Sequence, residues 1–441
     1  MLQIAAVNLL QPIAGQTDYD ADLQPLISRS PLISCEVCVI VPVRDEADNI
    51  EATLLALTNQ VDLTGKPLDK NRYEIIVLAN NCTDNSAEVA RRFARTYPSL
   101  ILHIVEMTIE SDRAHIGWVR KLLMDEAYRR LKSIERDFGV IASTDGDTRV
   151  SSTWIAATLA EIKAGADAVG GRIITNSRER SKLDKTTRLY FLRYLRYGYL
   201  TSQLEAFLDP YFDPLPRHHH HYGASFAITA RMYAKVGGLP PLPSSEDLAL
   251  YNALMRVDAC FRHSPTVRVV TSARDLGRAK AGLADRLSQL KTIGQQQQCL
   301  WVESALTTEA RFRLRRQLRY LWHTTLTGKT SAVKMAIVAQ KLGINKDLLT
   351  EIIWRSQAMS IGLSPSFGLV VEQIGQYQEQ NADLYSKYAQ KVTIQQAIVD
   401  LQALINQTYI DRHHLRKQTN YYSSLNSLEQ IEPISLLPQS V

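Results

Sequence analysis

The chain has 441 residues, 45% hydrophobic and 22% charged, with a net charge of +6 from 51 basic and 45 acidic side chains. That is an ordinary globular composition, enough for about two to three domains, and it excludes a wholly disordered chain. The modest basic excess suits an anionic substrate or an acidic surface without being a nucleic-acid signature, and no run of about 18 apolar residues predicts a membrane span.

The opening MLQIAAVNLLQPIAGQTDYD lacks a positive n-region, so no secretory signal is expected and the chain is expected to be cytoplasmic. Residues 1–34 read as an irregular N-terminal extension. Cys35 and Cys38 form a C-x-x-C, the other cysteines being Cys82, Cys260 and Cys299. So few and scattered a set predicts no disulfide framework. Residues three apart on a strand face opposite ways, so a structural role is expected for the C-x-x-C rather than a shared metal.

From Val37 short apolar runs alternate with helical spacing. Strands are predicted at Val37–Val43, Glu74–Ala79, Leu100–Met107, Gly139–Thr144 and Ala166–Ile174. Helices are predicted at Ala47–Asn59, Asp84–Arg95, Gly117–Lys132 and Trp154–Ala164. This alternation implies an α/β fold, a doubly wound and mostly parallel sheet covered on both faces. Ligands of such sheets bind at the carboxyl ends of the strands. Residues 216–280 mix short strands, turns and one clear helix. Residues 281–422 read as a mainly helical C-terminal region, and 423–441 as a flexible tail.

The strongest chemical signal closes the fourth predicted strand, at Asp145-Gly146-Asp147. Residues i and i+2 of an extended segment share a face, so the two carboxylates can converge. Gly146 leaves room for phosphates. Two carboxylates are what a hard divalent cation takes from a protein when water and diphosphate oxygens supply the rest. The ordinary alternative is a strand-ending Asp-Gly turn. A second acidic pair, Glu246-Asp247, opens the helix that runs on through LALYNALMR. Ser244 with Asp247 reads as a capping box, while the functional alternative makes one carboxylate a general base.

These residues stand in a definite order. Pro42-Val43-Arg44-Asp45-Glu46 comes first, then Asn80-Asn81-Cys82-Thr83-Asp84, then Asp145-Gly146-Asp147. Gly223-Ala224-Ser225, Gly237-Gly238 and Glu246-Asp247 follow. The series resembles the family 2 glycosyltransferases over roughly residues 36–280. The resemblance implies a GT-A domain over 35–280, a UDP- or GDP-sugar donor and Mg²⁺ or Mn²⁺. It also implies a hydroxyl acceptor, small or anionic. Carried onto this chain, Pro42, Arg44, Glu46, Asn80, Asn81 and Asp84 would hold the nucleoside end. Asp145 and Asp147 would hold the metal-bound diphosphate, and Asp247, with Glu246 beside it, would deprotonate the acceptor. Two departures are visible: the acid usual after the second strand is Ala79 or Asn80 here, and the Arg-Trp motif of processive synthases is absent. A single, non-processive transfer is therefore expected, and inversion is the first reading of its stereochemistry.

Basic groups complete the expected site. Arg120 or Lys121, on the helix opened by His115, could meet a phosphate, and the plain reading of Lys121 is a solvated helix face. Arg274 and Arg278 fall where family members carry a mobile Ser-x-Arg loop and could neutralise the leaving diphosphate. His218–His221 could add a metal ligand or touch the acceptor, as could His263 more weakly. The ordinary reading of the run is a solvated loop. Arg188–Leu200 interleaves arginines with aromatics and reads as a packed helix or a lid, with at most peripheral membrane contact. Arg311–Arg319 reads as a bundle helix rather than a nucleic-acid patch.

Three other readings remain at this point. One is a retaining GT-A enzyme resembling glucosyl-3-phosphoglycerate synthase. Another is a nucleotidyltransferase, disfavoured because PVRDEADN lacks a Gly-rich loop. The third is a non-catalytic nucleotide-sugar-binding protein, disfavoured because both acidic motifs are intact.

Overall fold

In a computed structural model of the chain, residues 24–274, 277, 282–329, 331–358, 365–381 and 390–423 are described, the last of them by backbone alone beyond residue 410. Strand β1 (Val37–Val43) is buried along its whole length. It pairs in parallel with β2 (Tyr73–Asn80) on one side and β4 (Val140–Ser143) on the other, and β3 (Leu102–Met107) extends the parallel block beyond β2. The helices α1 (Ile50–Thr58), α2 (Ser86–Thr96) and α3 (Ile116–Ser133) make the crossovers. Each predicted strand and helix up to this point is present, with ends moved by one to three residues. This is what continuous Val/Ile/Leu runs bounded by polar turns dictate.

Beyond β4 the sheet changes direction. Strand β7 (Phe226–Thr229) inserts antiparallel between β4 and β6 (Ala168–Thr175), and β8 (Phe261–Thr271) runs parallel to β6. The short β5 (Arg149–Val150), which no periodicity announced, closes the edge beside β8. The eight-stranded order is β3-β2-β1-β4-β7-β6-β8-β5. Alternation along β1 sends Cys38 and Ile40 into the core beneath α3, α7 (Ala230–Lys235) and α8 (Glu246–Arg256). Val37, Val39 and Val41 enter the opposite core, beneath α1, α2 and α4 (Trp154–Lys163). Both faces are covered, so the parallel block ends in a crevice at its carboxyl edge.

The short α5 (Ser177–Lys182) and long α6 (Lys185–Leu208) follow β6, and Arg188–Leu200 lies within α6. Leu200, Leu204 and Leu208 of α6 pack on α10 (Ala305–Leu326) and α14 (Ile394–Ser423), while Phe191 packs on α9 (Leu283–Gln295). Helices α10, α11 (Ala332–Leu342), α12 (Lys346–Ala358) and α13 (Phe367–Gln380) share a separate apolar core. The C-terminal region is helical as expected, with an added antiparallel ribbon of β9 (Trp301–Glu303) and β10 (Lys391–Thr393). Among the described residues no helix is long and apolar enough to cross a membrane. The tail from residue 424 and the start of the N-terminal extension lie outside the described residues.

What is described of the extension is tied to α3. Ile27 is buried in the core, and Arg130 donates to the carbonyl of Arg29 at 2.7 Å. The C-x-x-C expectation needs correcting. Cys35 sits in the turn before β1, not on the strand, so its thiol falls on the same side as Cys38. The two sulfurs and a Glu74 oxygen lie within 4.8 Å of one another. Cys38 donates to Glu74 at 2.9 Å, and Arg130 clamps the same carboxylate through two nitrogens at 2.7 and 2.6 Å. Burial pushes the Cys38 thiol well up. The cluster is a satisfied buried polar network.

Candidate functional site

Two acidic turns meet at the carboxyl edge. After β1 the chain turns through Asp45, whose φ of 54° is the left-handed conformation that non-glycine residues avoid. One Asp45 oxygen accepts from the Thr83 amide at 2.6 Å, which compensates that conformation and holds its carboxyl below the ordinary range. Asn81 after β2 is also left-handed, at φ 48°, and its amide clamps both backbone groups of Ile109. Asp84 accepts from the Ala47 and Ser86 amides at 2.9 and 3.0 Å, and the Ser86 hydroxyl accepts from the Glu46 amide at 2.7 Å. Asn81 and Asp84 therefore brace the loop, while Glu46 is delivered to the crevice, 6% exposed. Pro42 and Asn80 are buried at the strand ends. Arg44 turns away and donates to the carbonyl of Ala114 at 3.2 Å, so it is not brought to the other site residues.

Asp145-Gly146-Asp147 follows β4. It is a turn and not the extended segment expected from i, i+2 spacing: the Thr148 amide donates to the Asp145 carbonyl at 3.1 Å. Thr53 of α1 pins the Gly146 carbonyl at 2.9 Å. A Cβ on Gly146 would stand 3.2 Å from Glu46 Cγ and from Val43 Cγ2. The turn separates the partners of the two carboxylates. Asp145 takes a 2.7 Å ion pair from Arg120, and Asp147 takes one of 3.1 Å from Arg274. Burial, then the neighbouring Asp145 charge, pushes Asp147 up to about 6 against the pull of Arg274. Burial likewise raises Asp145.

The capping box does not form. Ser245, left-handed at φ 59°, is the N-cap of α8 and makes no side-chain cap. The acids that follow go elsewhere. Glu246 is 3% exposed and pairs with Arg120. Asp247 instead reaches back across the crevice and accepts from the Gly223 amide at 2.9 Å, with its other oxygen on the Leu248 amide at 2.7 Å. Three of the six left-handed non-glycine residues among the described residues, Asp45, Asn81 and Ser245, thus flank this one crevice. Strain of that kind persists where surrounding structure enforces it and concentrates at functional sites.

Arg120 is placed differently from the expectation of a phosphate-facing cation. Its side chain is 6% exposed and lies between Asp145 and Glu246. Burial alone would lower its pKa, but the two carboxylates raise it above the ordinary arginine value. Lys121 is not a solvated face residue, since it pairs with Asp125 at 2.8 Å. Arg274 pairs with Glu46 as well as Asp147. Arg278 lies outside the described residues. Sequence reasoning missed Gly223, whose missing side chain admits Arg120: a Cβ there would stand 2.3 Å from the guanidinium carbon. Only the Gly-Ala-Ser motif hinted at it.

His218–His221 is also corrected, because the run is packed rather than solvated. His218 Nδ1 accepts from the His220 amide at 3.0 Å, leaving Nε2 to donate to the Ser264 carbonyl at 3.0 Å. His220 Nδ1 accepts from the Ile173 amide at 3.0 Å. His221 stacks on Tyr251 at 4.1 Å, and His263 pairs with Asp213 at 2.8 Å. Burial pushes His218 and His221 down to about 3 and His219 to about 4. The four imidazoles of the run and His263 pack against one another and against β6 and β8.

A mostly parallel sheet whose β1 and β4 ends present Glu46, Asp145 and Asp147, faced by Glu246 and Asp247 from a helix N-terminus, has the layout of a GT-A-type fold. Residues 38–220 match the family described as glycosyl transferase family 2. The match ends before α8, so Glu246, Asp247 and Arg274 rest on geometry. The glycosyltransferase AglE of Haloferax volcanii is 31% identical over 139 residues, 31% of this chain and 39% of that protein. The chain therefore spans well under half of that relative's length. Among solved structures, S. aureus TarS residues 1–349 with UDP overlays at TM-score 0.37 and 14% identity, covering 78% of this chain and 92% of that one. Mannosyltransferase PcManGT of Pyrobaculum calidifontis with GDP-Man and Mn²⁺ overlays at 0.36 and 16%, covering 87% and 89%. Glucosyl-3-phosphoglycerate synthase of Mycobacterium tuberculosis, in complex with Mn²⁺, UDP-glucose and phosphoglyceric acid, overlays at 0.33 and 12%, covering 63% and 80%.

Proposed function

We propose that the chain transfers one sugar from a nucleotide diphosphate sugar to an acceptor hydroxyl, with inversion at the sugar carbon. The observation that carries this reading is the division of five crevice carboxylates by two arginines. Arg120 satisfies Asp145 and Glu246, and Arg274 satisfies Glu46 and Asp147. Among the described residues, Asp247 has only backbone amides as its hydrogen-bond partners. Of the acidic pair on α8, Glu246 is engaged as a counter-ion and Asp247 is left as the base.

The donor set fits a divalent cation. Two carboxylates on one turn, one of them raised to about 6 by burial and its neighbour, gain most from a hard cation that brings diphosphate oxygens with it. Asp145 and Asp147 would hold Mg²⁺ or Mn²⁺, which would neutralise diphosphate charge there. The chain's own residues do the rest. Glu46 and the loop of Asn80, Asn81 and Asp84 shape the nucleoside end, and Gly146 keeps the approach open. Arg274 exchanges its carboxylate partners for the departing nucleoside diphosphate. The acceptor oxygen attacks the sugar carbon, the carbon–oxygen bond to the diphosphate breaks, and the hydroxyl proton passes to an Asp247 carboxylate oxygen.

Asp247→Asn tests the assignment. Its one remaining oxygen can still accept from the Gly223 amide, so donor binding should hold, and stability should fall by about 1 kcal/mol for the lost Leu248 contact. Turnover should fall by about two to four powers of ten. Near-wild-type turnover would remove Asp247 as the base.

A further inference from the structure

Between Arg311 and Lys346 the sequence carries nine lysines and arginines and no aspartate or glutamate. This stretch is α10, the following turn and α11. The structure sorts its charges. Arg311 pairs with Glu303, Arg313 with Glu309, and Arg315 and Arg319 with Asp209. Those four are satisfied within the protein. Arg316, Lys334 and Lys341 have no carboxylate partner among the described residues. Lys334 lies 5.1 Å from the Tyr320 ring, and Lys341 donates to Gln317 at 3.0 Å.

These three cations rim a groove of about 520 Å³ between α10 and α11, with Leu208, Leu321 and Val338 in its floor. The inner faces of both helices are used up in the C-terminal core, through Leu318, Trp322, Met335 and Ala339. The outer face is not purely polar: Tyr320 is 57% exposed, Val333 67% and Ile337 46%. Exposed apolar side chains interleaved with uncompensated cations, and no acid among them, suit a surface that offers negative charge and hydrocarbon together. A soluble polyanion uses the cations and leaves the apolar groups in water. A nucleic acid would want stacking aromatics, and Tyr320 alone is present.

We propose that the outer face of the α10–α11 hairpin docks on the surface of a membrane rich in anionic lipid, with Arg316, Lys334 and Lys341 on headgroups and Tyr320, Val333 and Ile337 at the acyl boundary. The contact is peripheral. It is independent of the transfer chemistry, since none of these residues touches the crevice carboxylates.

The test is co-sedimentation of the full chain with vesicles of about one-third phosphatidylglycerol against pure phosphatidylcholine, at low and high salt. Binding is expected to the anionic vesicles only and to weaken with salt. Arg316→Glu/Lys334→Glu/Lys341→Glu should weaken it by roughly 100-fold or more, at about tenfold per 1.4 kcal/mol and ~1 kcal/mol per cation. Donor-induced thermal stabilisation should not change. If that variant fails to fold, Arg316→Gln/Lys341→Gln should still weaken binding by roughly 25-fold. Val333→Ser/Ile337→Ser should lose vesicle binding with all charges intact. No preference for anionic vesicles, or unaltered binding by the charge variants, overturns the proposal. So does a serine pair that binds vesicles and soluble polyphosphate as the wild type does, because the groove would then be a plain polyanion site.

Discussion

Gly223→Ala should be far more damaging than a buried methyl group ordinarily is. Gly223 has no left-handed backbone to protect, being absent from the residues of positive φ, so alanine suits its conformation. The cost is all in what the Cβ meets. It would stand 2.3 Å from Arg120 Cζ and 2.4 and 2.5 Å from the two terminal nitrogens. The guanidinium cannot step aside, because it is 6% exposed and bound to Asp145 at 2.7 Å and to Glu246 on its other side. Displacing it breaks a buried ion-pair network, at about 3–5 kcal/mol. For a domain of this size that is roughly a 10 °C fall in melting temperature. The Gly223 amide also holds Asp247 at 2.9 Å, so turnover should suffer beyond the loss of stability. Urea unfolding of Gly223→Ala, Arg120→Met and the double variant closes a cycle. The alanine should cost much less once Arg120 is gone, a coupling of about 1–3 kcal/mol. A single variant that loses less than about 1 kcal/mol, or a cycle with no coupling, would refute the claim that Gly223 exists to admit Arg120.

Gly146→Ala should fold with a loss of about 1–3 kcal/mol, since its Cβ meets Glu46 Cγ and buried Val43 Cγ2 at 3.2 Å and the Pro42 carbonyl oxygen at 3.4 Å, yet donor binding by calorimetry should drop sharply. Mn²⁺ titration should show affinity rising about tenfold per pH unit up to about 6 and levelling above, with proton release below it, as Asp147 must be deprotonated to bind; Asp147→Asn should abolish that dependence. In the free protein the raised Asp147 pKa contributes stability that is full below its ordinary 3.8 and lost as pH rises through about 6. The buried histidines act the other way: with His218 and His221 at about 3 and His219 at about 4, they contribute stability present above 6.5 and lost as pH falls toward those values. Asp147→Asn should therefore unfold in urea at pH 5 with an uptake of roughly two or more protons, and a pH-independent midpoint between 7 and 4 would contradict the burial of the run.

The parallel half of the sheet was legible because its signal is local. Val37–Val43 and Tyr73–Asn80 are buried on both faces, so each is an unbroken apolar run between polar turns. The antiparallel β7 and the two-residue β5 carry no such signal, since their place is decided by the strands they join. The same holds in the crevice. Asp145 and Asp147 were legible as a motif at a strand end, but their geometry was not, because Thr53 of α1 and the Asp145–Thr148 turn set it from outside the motif. The solvated reading of the histidine run, and the geometry though not the structural role expected of the C-x-x-C, fail for a related reason. Polarity and spacing say what such groups can bind, and burial decides whether they are free to do so. His218 and His220 spend their ring nitrogens on backbone groups of β6, β8 and their own loop.

Arg120 shows the consequence for function. Read along the chain it is one more cation on a helix near the phosphates. In the fold it joins three separate pieces of the crevice: α3, which carries it, the β4 end through Asp145, and the α8 N-terminus through Glu246. Without it, two buried carboxylates would face Asp147 and Asp247 with no cation on that side, and burial would drive them toward the protonated form. With it, the charged forms of Asp145 and Glu246 are favoured against the burial that raises both, and the Asp145–Asp147 turn is tied to the α8 N-terminus by one rigid fork. In the proposed reaction, donor end and acceptor end would thereby be held in register before either substrate arrives, the pre-organisation on which a single well-aimed displacement depends.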